Sequence, residues 1–139
     1  MPNLHPLIIH FPIALLLVAA VLELIAAWGK KPEFSRAGWW NQIAGTAGLL
    51  LAVASGLFAE STARIGEDAR ELFERHEQIA FAATALFALL FFWRMASRGQ
   101  VPSRGRWLFL VCLTAGAGLL LAGAFTGGEL VYRHGLGLR

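Results

Sequence analysis

The residues of this chain best suited to chemistry are its four histidines: His5, His10, His76 and His134. The first two stand in His5-Pro6-Leu7-Ile8-Ile9-His10-Phe11-Pro12, at the mouth of a long apolar run. An ionisable side chain at the edge of hydrocarbon is costly, so it marks a functional position by default. Neutral imidazole is a good ligand for haem iron, copper and zinc. The single cysteine, Cys112, lies inside the last apolar run, and one cysteine cannot make a disulfide framework, a CxxC metal site or a c-type haem attachment. No nucleophile–base pair can be placed, which points to an electron-transfer or accessory role more than to a stand-alone enzyme.

The elements that must position these histidines are membrane helices. Hydrophobic residues make up 57% of the 139 and charged residues 15%, too apolar for a soluble domain. The pattern predicts an all-α membrane protein forming one domain over residues 1–139: an up-down bundle of four transmembrane helices at about 7–28, 39–59, 76–95 and 107–126. The third apolar run, Ile79 to Trp93, covers only about 22 Å of a ~30 Å core. That shortfall draws His76 to the membrane edge. Tryptophans 28, 39, 40, 93 and 107 all sit at run ends, as an aromatic belt would place them. Residues 67–75, rich in helix formers, read as an interfacial helix leading into the third span. Pro12 either starts the first helix or bends it, since it removes an N–H and crowds the carbonyl of Ile8.

The net charge of +3 does not indicate nucleic-acid binding, because the basic residues fall between the apolar runs and report orientation. Loops one and three carry seven of the twelve: Lys30, Lys31, Arg36, Arg94, Arg98, Arg104 and Arg106. The other side holds Arg64, Arg70, Arg75, Arg133 and Arg139 beside the acids Glu60, Glu67, Asp68, Glu71 and Glu74. The positive-inside rule then places loops one and three in the cytoplasm and both termini on the outer, periplasmic face. No Lys or Arg precedes the first run, so no cleaved signal peptide is expected.

This topology gathers all four histidines on one face. Helices one and three are diagonal in such a bundle, on the order of 13 Å apart, which suits two imidazoles with a metal between them. The expected cofactor is haem b with His10 and His76 as axial ligands, and His5 and His134 completing that site or holding a second one. Small residues at that level would admit a flat ring: Ala52, Ser55 and Gly56 on helix two, and Ala122, Gly123, Ala124, Gly127 and Gly128 on helix four. Close packing explains the same residues, since Ala44, Gly48, Ala52 and Gly56 form a small-xxx-small ridge. Glu23, the one acid inside a span, reads as a proton or cation site, or as a carboxylate paired near Lys30 and Lys31. Electrons would pass between the quinone pool or a membrane enzyme and a periplasmic acceptor, with a c-type cytochrome or a respiratory or photosynthetic complex as partner. One alternative is a non-haem copper, zinc or iron module completed by Glu60, Asp68 or Glu77. Another is a structural subunit of a larger complex.

The opening His5-Pro6-Leu7-Ile8-Ile9-His10-Phe11-Pro12-Ile13-Ala14-Leu15 and the closing Gly127-Gly128-Glu129-Leu130-Val131-Tyr132-Arg133-His134-Gly135-Leu136-Gly137 resemble one bacterial family of predicted membrane proteins, domain of unknown function 2231. Arg75-His76-Glu77 and Glu23 also fall where that family tends to place a histidine and an acid, although the acid there is usually Asp. The resemblance spans the whole chain. It implies four spans in a bacterial inner membrane and supplies no reaction. Family members look like companions of haem electron-transfer domains, which implies haem here.

Overall fold

Four helices make up the computed structural model: α1 (His5–Gly29), α2 (Pro32–Thr62), α3 (Glu67–Ala96) and α4 (Arg106–His134). The structure describes residues 5–62 and 65–136, so Arg64, Gly137 and Arg139 lie outside it. Each helix is long and apolar enough to cross a membrane. Among the described residues there are no strands to close into a barrel, and helices satisfy their own backbone groups within hydrocarbon. The chain is therefore an all-α, four-helix membrane bundle.

The helices outrun the apolar stretches that announce them. α2 begins at Pro32 rather than near Trp39, because proline at the first helical position has φ preset and lacks only a donor that would go unused. Residues 67–75 run unbroken into the third span as a charge-laced extension of it. Nothing in their sequence breaks the hydrogen-bond ladder, so they form the first turns of α3. At 30 residues α3 is about 45 Å long, and its polar start extends past an apolar core of ~30 Å. Pro12 is interior to α1 and packs on α2, where a Cβ on Gly48 would fall 3.2 Å from its own. Apolar side chains such as Leu51, Leu89, Phe92, Val111, Leu121 and Phe125 are exposed on the bundle surface, where lipid covers them. All five tryptophans gather at one end, that of the α1–α2 and α3–α4 loops. Trp28, Trp40 and Trp107 are exposed there. Trp39 stacks on Phe91 and Trp93 meets Phe109 edge-on.

Buried positions recur every three or four residues. On α1 they include Pro12, Leu16, Ala19, Glu23 and Ala26; on α3 they are Ala83, Phe87, Leu90 and Arg94. This is the seam spacing of interdigitating helices. α1 packs chiefly on α2 and α3 on α4, with thinner seams between the two hairpins, and α1 and α3 lie on the diagonal. The hairpins are equivalent under a shift of 71 positions. Leu16 packs on Gly45 and Phe87 on Gly116 in the same way. Leu49 and Leu120 are both buried, and their neighbours Leu50 and Leu121 both face out. The bundle thus has a pseudo-twofold axis running along the helices.

Gly45 shows how tight the hairpin contact is. A Cβ there would lie 2.6 Å from Leu16 Cγ, the branch carbon of a fully buried side chain. Gly118 has nothing within 4 Å of such a Cβ. Gly45→Ala should destabilise the bundle by about 1–3 kcal/mol through overpacking. Gly118→Ala should be neutral or stabilise by up to ~1 kcal/mol through helix propensity. Unfolding of both variants in detergent, followed by circular dichroism, measures the difference; equal effects would refute the packing.

Candidate histidine site

The start of α1 and the end of α4 lie at one end of the bundle, and so do His5, His10, His76 and His134. Helical register divides them. His5 stands one heptad before buried Pro12, and His76 one heptad before buried Ala83, so both face the bundle interior. His10 is five residues past His5, a rotation of about 140°, and it is exposed. The His10–His76 pairing expected from the sequence thus has one member turned inward and one exposed, whereas His5 and His76 are both turned inward. His134 Nδ1 lies 3.2 Å from Asp68 Oδ2, tying the end of α4 to the start of α3. Among the described residues no cluster of three or more His, Cys, Asp or Glu side chains suited to a metal forms.

The two inward histidines are held alike. His5 Nδ1 is 2.9 Å from Ser55 Oγ, whose own proton goes to the Ala52 carbonyl at 2.8 Å. His76 Nδ1 is 3.1 Å from the Gly123 carbonyl and 3.0 Å from Thr126 Oγ1, whose proton likewise goes to backbone carbonyls. The hydroxyls have spent their protons and the carbonyls have none, so Nδ1–H is the donor on both rings. The lone pair then resides on Nε2. Each ring lies over a glycine: a Cβ on Gly56 would meet His5 Cε1 at 3.2 Å, and one on Gly127 would meet His76 Cε1 at 2.9 Å. The space left by these glycines is filled by the imidazoles themselves, not by a gap reserved for a ring. Of the other glycines named above, Gly123 supplies its carbonyl, and a Cβ on Gly128 would meet nothing within 4 Å. His5, Ser55 and Gly56 map onto His76, Thr126 and Gly127 by the 71-position shift, so the pair straddles the pseudo-twofold axis.

The opposite end holds a second polar centre, in which the sequence singles out Glu23 as a paired carboxylate but not Arg94 as its partner. Arg94, counted above among the loop charges, is 1% exposed and pairs with Glu23, which is 2% exposed. All five guanidinium N–H groups are engaged: Nε with the Gly99 carbonyl, Nη1 with Glu23 and Gln42, and Nη2 with the carbonyl and hydroxyl of Ser35. Trp39 packs against the guanidinium face, with the ring centroid 5.1 Å away. Ser35 also donates to Glu23 Oε2 at 2.9 Å, and Gly38 leaves the space that the carboxylate occupies. Glu23 and Arg94 are again 71 positions apart. The signal available in the sequence was that shift, together with the seam spacing that puts both residues in line with the buried stripe.

Residues 1–139 match the family described as Predicted membrane protein (DUF2231), and the chain belongs to it. Neither a curated protein nor a solved structure shows significant similarity to the chain.

Proposed function

We propose that this DUF2231 membrane protein is a b-type haem protein of a bacterial inner membrane, with His5 and His76 as the axial pair. It would move electrons between the quinone pool or a membrane enzyme and an acceptor on the histidine side, taken as periplasmic. The observation that carries this reading is the pair of symmetry-related imidazoles turned toward the bundle interior, each with Nδ1 held by an acceptor on a neighbouring helix. Haem asks a protein for two axial nitrogens, and a closed zinc site asks for about four ligands, so two imidazoles fit the porphyrin better.

A bound b-type haem would supply one-electron redox chemistry. The chain's own contribution is orientation and basicity. Ser55, Thr126 and the Gly123 carbonyl fix the tautomer and ring angle of each ligand, as outer-shell acceptors do at metal sites. Protein purified from haem-replete cells should show a Soret band and a reducible α-band, with one haem per chain. A colourless preparation would refute the reading. Metal retained without a Soret band, found by elemental analysis, would assign the pair to a non-haem copper, zinc or iron module instead.

A further inference from the structure

At the end opposite the histidines, a cavity of about 370 Å³ opens between α1, the start of α2, α4 and the adjoining loops. Three pairs of its lining residues are related by the 71-position shift: Lys30 with Val101, Pro32 with Ser103, and Ser35 with Arg106. Glu23, whose carboxylate is paired with Arg94, is part of the lining. Arg94 neutralises that carboxylate. The remaining charges of the lining, Lys30 and Arg106, are both positive. Arg106 is steadied by a 3.4 Å hydrogen bond to the Ala27 carbonyl at the end of α1. Lys30 holds a left-handed backbone, φ 51°, in the two-residue turn between α1 and α2.

We infer that this cavity is a binding site for the headgroup of an anionic phospholipid. Two cations and the Ser103 hydroxyl are suited to a phosphodiester. Ala27, Val101 and Leu110 supply apolar wall along the α1–α4 seam, where acyl chains can follow the headgroup. The cavity opens at the end that carries the exposed Trp28, Trp40 and Trp107, the side chains that mark the membrane–water interface. Basic pockets between helices at that level select anionic lipid by charge, and inorganic phosphate shares the chemistry without the chains. The inference is independent of what the histidine pair binds.

The test uses the full chain in nanodiscs of phosphatidylcholine with a graded fraction of phosphatidylglycerol, extracted gently for native mass spectrometry. One phosphatidylglycerol per chain should be retained in preference to phosphatidylcholine. Lys30→Gln and Arg106→Gln should each weaken retention about five-fold. Arg106→Lys should keep most of it. Arg98→Gln and Arg104→Gln, exposed positions of the same loop outside the cavity, should leave it unchanged. Equal retention of both lipids, or equal losses in the Arg98 and Arg104 variants, would overturn the site. Displacement of the lipid by millimolar inorganic phosphate would overturn the lipid assignment in favour of a free-anion site.

Discussion

Arg94→Ala is expected to cost about 3–5 kcal/mol of stability, because it leaves the Glu23 carboxylate buried without its counter-charge. Every N–H of the guanidinium has a partner, so truncation also strands Gln42 Oε1 and the carbonyls of Ser35 and Gly99. Glu23→Ala should be comparably harmful, since it strands a cation of the same burial. The double variant Glu23→Leu/Arg94→Met should recover most of the loss, because a buried ion pair replaced by apolar groups of similar volume is often neutral. Unfolding midpoints of the four proteins in one detergent measure these effects. Single variants within 1 kcal/mol of the parent would show that the pair is hydrated and not part of the core.

His5→Ala and His76→Ala should each abolish stoichiometric haem retention, and His10→Ala should leave it intact. That ordering separates the inward pair from the exposed histidine and distinguishes this site from a His10–His76 pair. Ser55→Ala and Thr126→Ala remove only the acceptor hydroxyls, and losses of about 10–100-fold in affinity are expected from an outer shell. The symmetry of the two halves adds a further condition: the two hydroxyl variants should act to a similar degree. Absorbance titration of the purified apoproteins with haem measures all five. Full retention in both the His5 and His76 variants would dismiss the pair as ligands.

Much of the architecture is legible in the sequence because a membrane leaves few choices. Hydrocarbon forces each apolar run of sufficient length into a helix, so four runs determine four spans and place both termini at one end. The seam spacing also carries more than the apolar runs alone suggest: counted in heptads from Pro12 and Ala83, it turns His5 and His76 inward and His10 outward. The internal repeat is written less clearly. Ala-Gly-Leu-Leu-Leu-Ala occurs at 47–52 and again at 117–122, a shift of 70, one position off the register that the burial pattern obeys. Identity of letters misleads there, because small and leucine residues are interchangeable on lipid-facing positions while the buried face is not.

What the sequence alone determined is the class, the number of spans and the end of the molecule at which each histidine lies. Only the tertiary structure decided which side chains meet. His5 and His76, and Glu23 and Arg94, belong to helices on the diagonal of the bundle, with most of a hairpin between them in the chain. No local pattern encodes such a meeting. It follows from two hairpins packing about one axis, which brings equivalent positions of α1 and α3 face to face at both ends.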